Sequence, residues 1–151
     1  MAQAGQALDL GEGARLQVVE VSRRGATLEL EWGSFKALLP VGMDFEQMKA
    51  MRADPSRGPI NALLLVEGGL AALNPPEWIA GLRPQYLIFS ADAGDMRPVL
   101  DPEYETFLSG YTLLRTDRNG WIQLSTDGEE VRGIQSPPDV SIPTSGSDFQ
   151  L

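Results

Sequence analysis

Four carboxylates stand just after the ends of predicted strands. They are Asp44, Glu67, Asp92 and Asp95. Open α/β sheets gather their binding sites at the carboxyl ends of their strands, and carboxylate oxygens suit Mg²⁺ or Ca²⁺. A second interpretation needs no metal, because Asp44 has the position of a helix cap and residues 92–95 have the composition of a solvated turn. We expect the second interpretation and keep a carboxylate–metal hydrolase using Glu67, Asp92 and Asp95 as an alternative.

Residues 67–69, Glu-Gly-Gly, follow a buried apolar run at the place where a phosphate-binding loop would begin. The stretch lacks the spacing of both phosphate-binding fingerprints, and no Lys-Ser or Lys-Thr pair follows it. It therefore predicts a tight turn after a strand.

Histidine and cysteine are both absent from the 151 residues. Their absence excludes zinc fingers, thiol nucleophiles, Ser-His-Asp triads and metal sites with imidazole ligands. A general base would have to be an Asp, Glu, Lys or Tyr side chain. A metal ion could be held only by oxygen ligands.

The chain is acidic, with 12 basic and 21 acidic residues and a formal net charge of −9. Nucleic-acid binders usually present a clustered basic face, because neutralising phosphates supplies much of their affinity. Here the densest cluster of basic residues is only the pair Arg23-Arg24, whose position between two strands predicts a solvated hairpin turn. Trp121 with Arg115 and Arg118 is the one combination that suggests base stacking, and nearby acids dilute it. We expect neither tight nucleic-acid binding nor membrane insertion.

The first third of the chain predicts an antiparallel meander. Ala14 to Val21 is rich in Val and Leu, turn residues follow, and Phe35 to Leu39 returns after Gly33-Ser34. The intervening segment, Ala26 to Trp32, alternates in polarity, which is typical of a strand with one buried and one solvated face. The predicted buried side chains are Leu28, Leu30 and Trp32, and the predicted solvated ones are Thr27, Glu29 and Glu31.

Helices and strands then alternate. Asp44 with Gln47 has capping-box spacing, Asn74 followed by two prolines predicts another helix start, and Asp101-Pro102 predicts a third. Continuous apolar runs at 61–66 and 85–89 predict buried strands. The last elements predict two hairpins, with 111–115 pairing to 121–125 and then 121–125 turning into 130–134.

Together these elements predict an α/β fold with a mixed sheet of seven or eight strands, an antiparallel meander and flanking helices. From Ser136 onward the chain is rich in Pro and Ser and poor in apolar residues. We therefore predict one domain over residues 1–135 and a disordered tail over 136–151 that adds nothing to the core.

Five segments of the chain carry a likeness to a known family. In order they are AGQALDLGEGARLQVVEV, LEWGSFKALLPVG, NALLLVEGG, LRPQYLIFSADAGDMRP and GYTLLRTDRNGWIQLSTDGEEV. From about Gly5 to Ile134 the chain resembles the second half of the metallo-β-lactamase-like domain that ends many ComEC-type DNA-internalisation competence proteins. The last segment is the most specific, because that family commonly closes with Arg-Thr-Asp, a turn, Gly, a short strand and Thr-Asp-Gly.

The resemblance implies half of an αββα sandwich whose metal ligands are lost. Where active relatives carry Leu-Leu-Thr-Gly-Asp, this chain has Gly42 in the Asp position, with Asp44 two residues late. Glu67 and Gly68 stand where relatives have His-His, and Arg97 stands in the His position of Gly-His-Pro. The first half of the domain, with its His-x-His-x-Asp-His motif, does not occur in these residues. By the same resemblance, Arg97 is expected to pair with Glu67.

The resemblance implies a non-catalytic module of a protein related to DNA uptake, with no catalytic residues, no bound metal and no cofactor. Its expected partner is the rest of a larger competence-type protein or a second copy, through sheet surface that an absent half would leave open. Its expected location is a soluble domain, membrane-tethered at the cell envelope in a full-length relative and cytoplasmic otherwise. The alternative from a different class is a stand-alone protein-interaction or regulatory domain.

Overall fold

Seven strands form one mixed sheet and lie in it in the order in which they occur along the chain. The computed structural model describes residues 2–52, 54, 57–91 and 100–135. The seven strands are β1 (Ala7–Gly11), β2 (Ala14–Val21), β3 (Ala26–Trp32), β4 (Phe35–Val41), β5 (Ala62–Leu64), β6 (Tyr86–Phe89) and β7 (Thr112–Arg115). Two more strands, β8 (Ile122–Thr126) and β9 (Val131–Gln135), form a separate hairpin. The helices are α1 (Phe45–Arg52), α2 (Pro76–Leu82), α3 (Pro102–Leu108) and the short α4 (Thr116–Asn119).

The pairing changes direction halfway across the sheet. Strands β1 to β4 pair antiparallel, as consecutive hairpins do, and β4 to β7 pair parallel. The parallel pairs are joined by crossovers that contain α1, α2 and α3. The predicted α/β fold with a mixed sheet, a meander and flanking helices is confirmed. No helix of the described ranges is long and apolar enough to cross a membrane.

The main core lies between the sheet and the three longer helices. Leu38, Leu63 and Leu87 stand on neighbouring strands, are fully buried, and pack in one cluster with side chains of α1, α2 and α3. Burying one such leucine contributes about 1.5–3 kcal/mol. Strands β5 and β6 carry apolar side chains on both faces, which is the pattern that the runs at 61–66 and 85–89 predicted.

The hairpin β8–β9 covers part of the other face of the sheet. Leu124 and Val131 pack against Phe35, Ala37 and Ala62. The hairpin tip is fastened at the β3–β4 turn, where the Ser34 backbone N–H donates to the Gly128 carbonyl at 2.6 Å. The protein therefore has helices on one side of the sheet and a partial β layer on the other.

The prediction that 111–115 pairs with 121–125 is wrong. Strand β7 pairs parallel with β6, and 116–119 forms a helical turn, so β8 pairs only with β9 among the described strands. The second predicted hairpin is confirmed, with Thr126 opposite Val131. Thr116 holds the redirected chain, because its hydroxyl accepts from the Ala91 N–H at 2.9 Å and donates to the Ala91 carbonyl at 2.7 Å.

The faces of β3 are reversed relative to the prediction at Thr27 and Glu29, and Glu31 is half-buried. Thr27 is fully buried and Glu29 is 8% exposed, whereas Leu28, Leu30 and Trp32 are only half-buried. The reason is the helix-side crossover, which covers the polar face and brings the Arg57 guanidinium 3.9 Å from Glu29. Alternation identifies two faces of a strand but does not show which one the rest of the chain covers.

Candidate functional site at the carboxyl edge of the parallel strands

The candidate residues from the sequence follow the carboxyl ends of parallel strands. Gly42 and Asp44 come after β4, and Glu67 and Gly68 come after β5. The positions after β6, namely Asp92, Asp95 and Arg97, lie outside the described residues. The edge after β7 carries Asp117, one of the acidic residues near Trp121.

Gly42 is enclosed by backbone. Its φ is +75°, and a Cβ added there would lie 2.5 Å from the Arg24 carbonyl oxygen and 3.1 Å from the Gly25 Cα. The Ser22 hydroxyl donates to the Gly42 carbonyl at 3.0 Å and holds the β2–β3 turn in place. Side chains essentially never approach backbone so closely, so this position accommodates no metal-ligating side chain.

Asp44 caps α1, as the spacing predicted. Its Oδ1 accepts from the Gln47 N–H at 3.0 Å, and its carbonyl accepts from the Met48 N–H at 3.0 Å. The return half of the capping box is missing, because the buried Gln47 side-chain amide has no hydrogen-bond partner. A carboxylate occupied in this way satisfies a helix end and is not oriented toward a shared site.

Glu67 forms an ion pair on the surface. Its Oε1 lies 3.0 Å from Nη2 of Arg24, whose side chain is 56% exposed. Exposed pairs of this kind contribute little stability, at most about 1 kcal/mol. Arg97, the partner expected for Glu67, lies outside the described ranges. The Glu67 carboxylate has a cationic partner in Arg24 of the β2–β3 turn.

The side chain of Asn74 holds the loop after β5 in place by bonding its backbone. The Asn74 side chain is fully buried, its Oδ1 accepts from the Val66 N–H at 2.8 Å, and its Nδ2 donates to the Val66 carbonyl at 3.0 Å and to the Leu70 carbonyl at 2.8 Å. The Tyr104 hydroxyl donates to the Asn74 carbonyl at 2.8 Å. Asn74 was expected to cap α2, but Pro75 occupies the cap position and no side-chain bond is made there.

The backbone of residues 67–69, in the loop after β5, is in the left-handed conformation. Glu67 has a φ of +48°, and Gly68 and Gly69 have φ values of +59° and +79°. A Cβ at Gly69 would come within 2.9 Å of Leu100 and Phe89. The tight turn predicted for this stretch is thus present, and its glycines serve a close approach between the turn and the core.

An arginine with three donated hydrogen bonds lies at the end of β7. Arg115 is 5% exposed, its Nε and Nη2 donate to the two carboxylate oxygens of Asp117 at 3.0 and 2.7 Å, and its Nη1 donates to Glu105 at 2.9 Å. The guanidinium also lies 4.6 Å from the centroid of the Phe89 ring. The paired carboxylate of Asp117 raises the pKa of Arg115, and the Arg115 hydrogen bonds lower the pKa of Asp117.

Within the described part of this edge, the carboxylates of Glu67, Glu105 and Asp117 are each paired with an arginine. Arg118 donates to the same Glu105 oxygen at 2.9 Å. Within the described part of the chain, no three acidic residues come together in a group that could hold a metal ion. The described residues of this edge fix the strand ends and the loops that follow them.

Three residues that hold this edge together, Glu105, Arg24 and Asn74, have no sequence pattern that indicates their role. Glu105 lies on α3, ten residues from Arg115, and Arg24 lies 43 residues from Glu67. Neither distance produces a local pattern. Asn74 was predicted to cap α2, but its side chain instead bonds the backbone of Val66 and Leu70. The asparagine next to an apolar run is the only trace of this role in the sequence.

Lowering the pH is expected to remove the contribution of the Arg115–Asp117 pair to the free energy of unfolding. Because the folded-state pKa of Asp117 is lowered, the pair contributes stability that is complete above the ordinary Asp pKa of about 3.9 and is lost as the pH falls through the lower, folded-state value. Urea unfolding of the wild type and of Asp117→Asn checks this. The difference in unfolding free energy should shrink between about pH 5 and about pH 2, whereas a constant difference would contradict it.

Comparison with known proteins returned no match to a family model, to a curated protein or to a solved structure.

Proposed function

We propose that this chain is a non-catalytic module of the metallo-β-lactamase-like type, related to the DNA-uptake competence proteins that its sequence resembles. Its role is to bind another polypeptide. The emptied site at Gly42 carries the proposal, because the backbone of Arg24 and Gly25 occupies the space that a ligating side chain would need.

The family's binuclear zinc does not fit the residues that are described. Such a centre takes about five to seven nitrogen and oxygen ligands. Among the matching positions inside the described ranges, Gly42 and Gly68 have no side chain, and the Glu67 carboxylate is paired with Arg24. No hydrolytic step is therefore assigned to this chain.

The layer structure supports a binding role. Among the residues that the structure describes, helices close one face of the sheet, and β8–β9 covers only part of the other. A protein with an apolar sheet face left open is expected to meet another polypeptide there. The candidates for that polypeptide are the rest of a larger competence-type protein and a second copy of this chain.

The genomic reading frame that contains the Met1 codon tests the relation to competence proteins. We expect the frame to encode membrane-spanning segments and a His-x-His-x-Asp-His motif upstream of these residues. Sequencing chromosomal DNA upstream of the Met1 codon gives the answer. An upstream stop codon in the same frame, with no such motif nearby, would favour the stand-alone interaction domain.

This chain is expected not to bind DNA tightly on its own. Arg115 is buried in its pair with Asp117, and Arg118 is paired with Glu105, so neither is a free cation beside the 54%-exposed Trp121. With a net charge of −9, other surfaces repel the phosphate backbone. Fluorescence anisotropy with single- and double-stranded oligonucleotides checks this. Micromolar binding at about 150 mM salt that weakens steeply with added salt would contradict it.

A further inference from the structure

The hairpin β8–β9, which we call the strap, pairs with itself and stands apart from the ladder of the seven-stranded sheet. Its two strands form a sheet of their own, in which Ile122 lies opposite Gln135 and Thr126 lies opposite Val131. A two-stranded hairpin by itself is only marginally stable in water. The strap therefore depends on its contacts with the sheet face that it covers.

The apolar packing beneath the strap is shallow. Its side chains Leu124 and Val131 are half-buried. They pack against three side chains of β4 and β5, namely Phe35, Ala37 and Ala62. Among residues 121–133, whose burial the structure describes, only Gly128 is buried. Segments with little buried apolar surface open at a lower free energy than the core does.

The polar contacts that hold the strap are concentrated at its tip. The backbone N–H and the hydroxyl of Ser34 both donate to the Gly128 carbonyl, at 2.6 and 2.9 Å, and the hydroxyl lies 3.3 Å from the Glu129 carbonyl oxygen. A further bond, from the Tyr86 hydroxyl to the Val131 carbonyl, is longer at 3.4 Å. Ser34 therefore acts as a latch between the β3–β4 turn and the strap.

The first strand of the strap joins the domain through Gly120. The backbone there has a φ of +70° and a ψ of −132°, a combination that glycine adopts at little cost. The helical turn α4 before it is fixed, because the Thr116 hydroxyl accepts from the Ala91 N–H and donates to the Ala91 carbonyl. A glycine between a fixed turn and a strand can absorb the changes in φ and ψ that a hinge requires.

We infer that the strap opens and closes as a unit, hinged at Gly120 and latched by Ser34, while the rest of the domain stays folded. Opening breaks the bonds of Ser34 to the tip and uncovers Ala62 and its neighbours. The ladder within the strap and the core between the sheet and the helices stay intact. This motion does not depend on the non-catalytic role proposed above, because neither a metal nor a partner takes part in it.

Thiol labelling of the full chain measures the opening, since the chain has no cysteine of its own. Ala62 is fully buried beneath the strap, and Val66 is fully buried in the main core. With excess thiol reagent and no denaturant, Ala62→Cys should react about tenfold faster or more than Val66→Cys. Its rate should also change little at low urea concentrations, because a local opening exposes little surface.

Gly33→Ala, made together with Ala62→Cys, tests the latch. A Cβ at Gly33 would lie 2.4 Å from the Gly128 carbonyl oxygen, so the tip has to move away from Ser34. Loss of the Ser34 bonds should raise the labelling rate about tenfold. Gly13→Ala is the matched control, because Gly13 also has a positive φ in a hairpin turn but nothing lies within 4 Å of an added Cβ. It should leave the labelling rate unchanged.

Hydrogen exchange of the unaltered chain is a second measurement, in which the amides of β8 and β9 should exchange well before those of β5 and β6. Two results would overturn the inference. The first is equal labelling of the two cysteine variants with the same urea dependence, together with β8 and β9 amides that are protected as long as those of β5 and β6. The second is an acceleration by Gly13→Ala as large as that by Gly33→Ala.

Discussion

Replacing Asn74 by leucine is expected to lower the free energy of unfolding by about 3 kcal/mol. Leucine has a similar size, so packing is largely kept, while all three hydrogen bonds from the side chain are lost. The Val66 N–H has no other partner in the described structure and would be left buried and unpaired, at a cost of about 1–3 kcal/mol. The Val66 and Leu70 carbonyls keep their backbone donors, so their share of the loss is smaller.

Urea unfolding measures this effect, and Asn61→Leu is the matched control. Asn61 also accepts a backbone hydrogen bond through Oδ1, from the Lys36 N–H at 2.8 Å, but it is only half-buried. Water can replace that bond, so Asn61→Leu should cost about 1 kcal/mol. Equal losses for the two variants would show that Asn74 does not hold the loop after β5 in the way described.

Replacing Arg115 by methionine is expected to cost about 3 kcal/mol, the lower end of the range for breaking a buried ion pair. The change removes the three hydrogen bonds to Asp117 and Glu105 and the contact of the guanidinium with the Phe89 ring. The two carboxylates remain and are 22% and 32% exposed. They regain some hydration, which places the loss at that lower end.

The variant Arg118→Met shows whether the stabilisation by Arg115 comes from its burial or only from its charge. Arg118 donates to the same Glu105 oxygen as Arg115 at the same 2.9 Å, but its side chain is 57% exposed. An exposed pair contributes at most about 1 kcal/mol, so chemical denaturation at neutral pH should show a small loss for Arg118→Met and a large one for Arg115→Met. Similar losses for both variants would contradict the account of this cluster.

Local signals predicted most elements of the fold. Asp101 accepts from the N–H groups of Glu103 and Tyr104 at the start of α3, as Asp-Pro implied, because capping involves neighbouring residues. Alternation located β3, and two continuous apolar runs located β5 and β6. The interactions that produce these features join residues a few positions apart, so the local sequence contains the information needed to predict them.

Long-range pairing explains the errors. The sequence from β7 to β8 has the composition of a hairpin, but β7 pairs with β6, and the contacts of Thr116 with Ala91, 25 positions earlier, hold the start of the helical turn at 116–119. The prediction for β3 was wrong because the Glu29 carboxylate is buried close to the guanidinium of Arg57. Arg57 is 28 positions away, so the local sequence does not indicate this pairing. The crowding at Gly42 likewise involves Arg24, which the sequence separates from it.

The zinc content of the protein tests the central claim of a non-catalytic module most directly. Protein made without a histidine tag, incubated with excess zinc and then dialysed, is analysed for bound metal by mass spectrometry. We predict no stoichiometric zinc, because the chain has no histidine or cysteine, Gly42 accepts no side chain and Glu67 is paired with Arg24. One or two tightly held zinc ions per chain would contradict the claim.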